Sequence, residues 1–434
     1  MSGTLDPYFN RLESLSLTHW SGKVVQAIGN LIESEGPFCS VGECCDIVND
    51  SGTHFPGEVV GFRGPIVLSM ALDKPSGIRF GNVITTRGQR ATVPVGDGLL
   101  GRVIDGAGIP IDGGGAVSAT ARRELETSAP SPLERLPIRE PLGCGIRAVD
   151  SFLTCGRGQR VGIFGGSGVG KSTLIGMMTR GTDADLTVLA LVGERGREVG
   201  EFLETIGDEG RRRSVVVVST SDQSPLLRIR AALTATTIAE YFSGTGRNVL
   251  LVVDSLTRFA MAQREIGLAA GEPPTAKGYT PSVFSLLARV VERAGRFQRG
   301  SITAFYTVLM EGDDQQDPLV DTVRSLLDGH IVLDRRLAAQ NHYPPISILD
   351  SLSRLMPAVA SREHLTKTGA LRSLLALYSR SEDLIRVGAY QRGSDRELDK
   401  AIEFSPVLNE FLRQSPDETP ALARNVERLL ALPS

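Results

Sequence analysis

The stretch "QRVGIFGGSGVGKSTL", residues 159–174, constrains this chain more tightly than any other. An apolar run ending at Phe164 predicts a strand, the turn Gly165–Gly170 follows, and Lys171 and Ser172 open a helical pattern. The turn therefore matches GxxxxGK[ST] in the context that gives the pattern meaning, between a strand and a helix. The backbone amides of Gly165, Gly166, Ser167, Gly168, Val169 and Gly170 can converge on a β-phosphate because glycine removes the side chains that would block the approach. The helix N-terminus adds a positive dipole, Lys171 reaches β- and γ-oxygens, and the Ser172 hydroxyl can ligate Mg²⁺, with Thr173 beside it. A bound triphosphate with Mg²⁺ is predicted.

A turn of this kind needs a parallel sheet behind it, and the sequence supplies one. From residue 159 onward, "LTVLALV", "RSVVVVST", "NVLLVVD" and "SITAFYTVL" alternate with amphipathic helical patterns. Each run is nearly continuous in Val, Leu or Ile, as expected of strands covered on both faces. Two carboxylates stand where such strands end. Asp254 closes "NVLLVVD", the place where a parallel sheet offers a magnesium-binding acid, although the same position can be the N-cap of the helix "SLTRFAMAQRE". Glu194 follows "LTVLALVG" and can orient a water against a γ-phosphate, or it can belong to a solvated charge cluster with Arg195 and Arg197.

The rest of the chain divides by pattern. Residues 1–20 carry a weak amphipathic helix on Leu5, Phe9 and Leu12. Residues 21–95 hold short β-rich pieces between Gly, Pro and Asp turns, which predicts a small β-barrel. Residues 96–145 are rich in Gly, Pro and Ser and are expected to link the barrel to an α/β P-loop domain over 146–358; helical patterns fill 359–434. The fold class is thus multidomain: an N-terminal β-barrel, a central RecA-like domain with a mostly parallel sheet, and a C-terminal α-helical domain.

Composition removes other classes. At 434 residues, 41% hydrophobic, 22% charged and a formal net charge of −3, the chain is neither disordered nor a basic nucleic-acid coat. No apolar run reaches the roughly 20 residues of a membrane span, and the first residues lack a signal-peptide pattern, so a cytoplasmic protein is expected. Five cysteines without CxxC spacing indicate neither a disulfide framework nor a zinc site.

The motifs "GGSGVGKS", "GERGREV", "LLVVDSLTRFAMAQREI", "GEPPTAKGYTPSVFS", "GSITAFYTVLMEGDDQQDP" and "LLDGHIVLDR", in this order, resemble the export ATPases of flagellar and type III secretion systems. These are relatives of the catalytic subunits of rotary F- and V-type ATPases. The resemblance implies ATP as the nucleotide, Glu194 as the catalytic carboxylate and Asp254 as the Walker B acid. Arg354, in "ILDSLSRLMP", would be an arginine finger for the neighbouring subunit, and Tyr343, in "NHYPPISI", an aromatic stacking on adenine; on residue pattern alone these are a surface charge and a packing group. It further implies a homohexameric ring, a loop at 268–282 near the central channel, a stator-like regulatory partner for residues 1–20 in preference to membrane lipid, and a coiled-coil stalk protein near "GAYQRGSDRELDKAI". The export gate, export substrates and chaperones complete the implied partners, at the inner face of the cell membrane. The flagellar branch is favoured over the injectisome branch. An F- or V-type catalytic subunit, a terminator-type RNA helicase and a nucleotide scaffold without turnover are the rivals. The helicase would need aromatic platforms and basic residues that 21–95, with only Phe38, Phe55, Phe62 and Phe80 as aromatics, do not supply, so no nucleic-acid partner is expected.

Overall fold

A computed structural model describes residues 19–310 and 317–433. The amphipathic pattern of the first 18 residues and the "EGDDQQ" segment lie outside them. Six antiparallel strands, β1 (Trp20–Ile28), β2 (Leu31–Glu35), β3 (Glu43–Val48), β4 (His54–Arg63), β5 (Ile66–Ala71) and β6 (Val83–Arg90), close into a barrel in the order β1-β2-β5-β4-β3-β6. Alternation along the strands turns Val24, Ile32, Ile47, Phe55 and Ile84 into its core.

Between residues 96 and 145 there is more order than a connection needs. Val103–Asp105 (β7) joins the central sheet in parallel beside Ser214–Thr220, and Ala121–Glu124 pairs with Thr92–Val95. Neither piece is periodic enough to announce itself. Both are three or four residues long and gain their pairing only from strands far away in sequence.

The central sheet contains β8 (Arg160–Gly165), β9 (Leu186–Glu194), β10 (Ser214–Thr220), β11 (Asn248–Asp254), β12 (Ser301–Leu309), β13 (Gly329–Leu333) and β14 (Ile346–Ser353). Its order is β14-β13-β8-β12-β11-β9-β10-β7, parallel along this path except for the antiparallel edge strand β14; the two-residue piece Gly295–Arg296 also pairs antiparallel with β12. Val188, Leu189, Val215, Val216, Val217, Leu251 and Val253 are fully buried, so the unbroken apolar runs reflect helices on both faces. β13 and β14 lie in the "GHIVL" and "ISILDSLS" stretches, where polar residues interrupt the apolar pattern.

Apart from the short helical turns Arg335–Ala339 and Met356–Val359, the described helices are α1 (Arg147–Phe152), α2 (Lys171–Gly181), α3 (Gly196–Arg212), α4 (Pro225–Gly244), α5 (Leu256–Ala270), α6 (Pro281–Val291), α7 (Pro318–Leu326), α8 (Arg362–Arg386), α9 (Arg396–Leu412) and α10 (Leu422–Leu430). α4 is buried nearly all round because it lies between sheet and barrel. Its Arg230 pairs with Glu58 of β4 at 2.6 Å, and Thr234 donates to Gly106 O at 2.8 Å. α1 is buried along its whole length and ties the central domain to the C-terminal helices. Asn425 Nδ2 donates to Asp150 Oδ2 at 2.8 Å, His364 Nε2 meets Ser151 O at 2.6 Å, and Phe152 packs edge-on against Phe411. No described helix is long and apolar enough to cross a membrane.

Candidate functional site

β8 ends at Gly165, α2 begins at Lys171, and the turn between them is shaped by glycine. Gly168 and Gly170 hold φ of 76° and 107°, left-handed values that a side chain would strain. Val169 is buried and anchors the middle of the loop, while Ser167 and Gly168 face outward. Ser172 and Thr173, in the first turn of α2, are exposed. Lys171 is 8% exposed, and its Nζ donates to Gly165 O at 3.1 Å and Gly166 O at 3.0 Å. Burial pulls the Lys171 pKa below the usual lysine range, while Asp254 and Glu194 oppose that pull. The lysine side chain therefore already folds back onto the loop, bonded to two of its carbonyls.

Sheet order explains the convergence. β8 and β11 flank β12, so the C-terminal end of β11 brings Asp254 to the same edge as the loop. Asp254 is 6% exposed and accepts a 2.6 Å hydrogen bond from Thr307 Oγ1 of β12. Burial raises its carboxyl above the usual range, against the Thr307 hydroxyl and the Lys171 charge. Ser255 caps α5 by accepting from Arg258 N at 3.3 Å, and the Arg258 side chain then turns back to Glu194, with Nε 3.2 Å from Oε1.

Glu194 reaches this edge through a bulge. The β9–β10 register shifts between Val192 and Glu194, and Gly193 adopts φ of 70°. A Cβ on Gly193 would stand 2.9 Å from Arg258 Cδ, so only glycine allows the arginine to lie here. Glu194 is pushed up to about 8, first by burial, then by a hydrogen bond with Glu198 and by the nearby Asp254; Glu198 moves down in consequence. Glu194 thus holds the proton of a carboxyl pair.

Tyr343 also stands beside the loop. Its ring is 42% exposed, and a Cβ placed on Gly170 would lie 3.9 Å from Tyr343 Cε1. Gln414 N fixes the Tyr343 backbone by donating to its carbonyl at 2.9 Å.

Arg354 is elsewhere. It follows β14, is exposed, and donates its backbone N–H to Asp328 O at 3.0 Å. Asp328 in turn binds Arg160 at the first residue of β8, so the whole strand, about 17 Å at roughly 3.3 Å per residue, separates Arg354 from the loop of its own chain.

Arg258 and Thr307 were absent from the residues singled out by sequence. Their signals were present but weak: Arg258 lies one helical turn past Asp254, and Thr307 is a polar interruption in an apolar strand. Both become meaningful only when β11, β12 and α5 meet.

The residues fit Mg²⁺ and a triphosphate. A hydroxyl on Ser172 and a carboxylate on Asp254 are the hard oxygen donors that Mg²⁺ takes, and it needs few of them because phosphate and water supply the rest. In keeping with that modest requirement, no cluster of three or more His, Cys, Asp or Glu side chains among the described residues could hold a metal alone.

The parallel sheet, glycine turn, buried lysine and strand-terminal acids define a P-loop ATPase domain. The ATP synthase alpha/beta family, nucleotide-binding domain, matches residues 145–353, and the type III secretion EscN ATPase C-terminal domain matches residues 360–431. The flagellum-specific ATP synthase of Bacillus subtilis is 53% identical over 414 residues, 95% of this chain and 94% of the relative. The type 3 secretion system ATPase of Xanthomonas euvesicatoria is 47% identical over 97% of this chain and 96% of its own. Among solved structures, the assembled ATPase EscN of enteropathogenic E. coli superposes with a TM-score of 0.90 at 45% identity, over 95% of this chain and 99% of that one. EscN has also been solved in complex with its central stalk EscO, with a TM-score of 0.87 at 44% identity over the same shares of the two chains. The chain belongs to the flagellar and type III secretion ATPases of the ATP synthase alpha/beta family, and it is an ATP-hydrolysing enzyme.

Proposed function

We propose that the chain is the ATPase of a flagellar-type protein-export apparatus and works as a homohexameric ring with its sites at subunit interfaces. The observation that carries this reading is the division of the site. Lys171, Glu194, Asp254 and Tyr343 meet at one edge of the sheet, while Arg354 stands exposed at the other, beyond reach of its own loop. One chain holds two different halves, and a ring of identical subunits completes every site, as a heterologous interface that closes on itself must.

In each site the amides of Gly165–Gly170 cradle the phosphates, Lys171 leaves its carbonyl partners for the β- and γ-oxygens, and the exposed face of Tyr343 receives the adenine. Mg²⁺ would be held by the Ser172 hydroxyl and the Asp254 carboxylate, which Thr307 fixes, and would supply positive charge to the phosphates. Glu194 in its ionised form accepts a hydrogen bond from the attacking water, with Arg258 holding the carboxylate in place. Arg354 of the neighbouring subunit stabilises charge on the γ-phosphoryl as it transfers.

The flagellar relatives from Bacillus subtilis and Pseudomonas aeruginosa, at 53% and 51% identity, support the flagellar branch. By analogy with the EscN–EscO complex, the C-terminal end of the ring receives a stalk protein. A stator-like regulator, the export gate, substrates with their chaperones and the inner face of the cell membrane complete the assignment.

Measured ATP turnover tests it. Arg354→Ala is expected to bind ATP with unchanged affinity and form rings yet lose about 10³-fold or more in kcat, the usual worth of an arginine finger. Normal turnover in that variant would remove the shared-site reading.

A further inference from the structure

A cleft of about 560 Å³ lies away from the P-loop, between α1 and the C-terminal helices. Arg147, Arg413, Arg424 and Arg428 line it, with Glu410 and Glu418. Four guanidinium groups face two carboxylates, which leaves two positive charges in excess.

Its core is Arg147, 3% exposed. Arg147 Nη1 donates to Phe411 O at 3.0 Å and Arg413 O at 2.8 Å, Nη2 donates to Glu418 at 2.5 Å, and the guanidinium lies over the Phe411 ring. Burial depresses its pKa and the charges of Arg428 and Arg424 add to that, which means the added cations work against the buried one. Arg424 and Arg428 stand at i and i+4 on α10, where like charges repel by a few tenths of a kcal/mol. Among the described residues Arg413, Arg424 and Arg428 have no carboxylate within 4.0 Å. A solvated helix face would place a glutamate at one of these positions; here the cations converge on one cavity, and only an anion relieves the repulsion.

The geometry points to a second ligand site in this cleft, one that takes a multiply charged phosphate group through Arg413, Arg424 and Arg428 around the fixed charge of Arg147. Planar guanidinium forks suit phosphate oxygens, and the excess charge matches a dianion. The cleft is also wired to the nucleotide side. Gln414 accepts from Arg147 N at 2.7 Å, donates to Gly145 O at 2.7 Å, and its own N–H holds the Tyr343 carbonyl at 2.9 Å.

Calorimetric titration of the full-length protein with pyrophosphate, at constant ionic strength, tests the site. Because the P-loop also takes phosphates, the titration is run on Lys171→Ala, on Arg424→Gln/Arg428→Gln, and on the triple variant. Lys171→Ala is expected to retain one equivalent of pyrophosphate, the triple variant to bind it at least about tenfold more weakly, and Arg424→Lys/Arg428→Lys in the same background to recover part of the loss. Thermal unfolding of the arginine variants checks that they remain folded. Capture on phosphatidic acid vesicles but not phosphatidylcholine vesicles, abolished by the same arginine changes, identifies a lipid phosphomonoester as the source of the phosphate. The proposal fails if Lys171→Ala binds neither pyrophosphate nor anionic vesicles, if the arginine changes leave binding intact, or if they abolish ring assembly instead, which would make the cleft a contact between subunits.

Discussion

In the proposed reaction Glu194 is the residue whose protonation sets the chemistry. Its carboxyl lies half in the protein between Glu198, Asp254 and Arg258; burial, then the hydrogen bond with Glu198 and the charge of Asp254, raise it to about 8 against the pull of Arg258. A group raised in this way holds its proton below that pH, and the proton must leave before the carboxylate can accept a hydrogen bond from water. For the free enzyme, kcat/KM is therefore expected to rise with pH through a midpoint near 8 and to level off above it. Glu198→Gln removes one negative partner, so the midpoint should move to lower pH and activity at pH 7 should increase by a few-fold or less. A pH–rate profile of both proteins checks this; a midpoint unaffected by Glu198→Gln would separate the titration from this carboxyl pair. Thr307 illustrates the complementary device. Its hydroxyl occupies one oxygen of Asp254 at 2.6 Å, which leaves the other directed to the loop.

At the scale of elements, the bulge in β9 does what a regular strand cannot. Two residues span the space of one opposite β10, and Gly193 in the left-handed region lets the Glu194 side chain face Arg258 while its backbone still pairs with Thr220. Gly193→Ala is expected to strain the backbone by about 1–2 kcal/mol and to press on Arg258 Cδ, displacing the ion pair. A displacement of about 1 Å at such a site costs on the order of 10²-fold in kcat, while rings and ATP binding persist; unchanged kcat would show that the Glu194–Arg258 geometry is dispensable. The bulge also shows where sequence reading stopped. The P-loop and the strands β8–β12 were legible because their signals are local: a turn motif, and apolar runs of six to nine residues. Glu194 and Asp254 were legible as strand-terminal acids. Arg258, Thr307 and the need for Gly193 were not, because each depends on which strand lies beside which, and that order arises from pairing across more than 50 residues. β7 stayed hidden because it is three residues long and pairs with a strand distant in sequence, and β14 because polar residues interrupt its apolar pattern.

At the scale of the whole molecule, the sheet acts as a spacer. Its parallel strands carry Lys171, Asp254 and Glu194 at their C-terminal edge, and the antiparallel return of β14 delivers Arg354 to the opposite edge. On the proposed reading, a chain built this way presents a loop to one neighbour and Arg354 to the other, and does not complete its own site by any small motion. Lys171→Ala and Arg354→Ala then damage different halves of different sites, and each variant assembled alone is expected to be inactive. Mixed in equal amounts, they should regain turnover, because an Arg354→Ala subunit keeps an intact loop that a Lys171→Ala neighbour can serve with an intact Arg354. Random assembly puts an intact loop against an intact finger at about a quarter of the interfaces, so about a quarter of the wild-type rate is expected where sites fire independently, and less where they must fire in turn. The recovered rate should vanish on dilution below the concentration at which rings form, measured in parallel by mass photometry. Rings that contain both variants and still show no activity above that of either alone would mean that Arg354 serves its own chain or none.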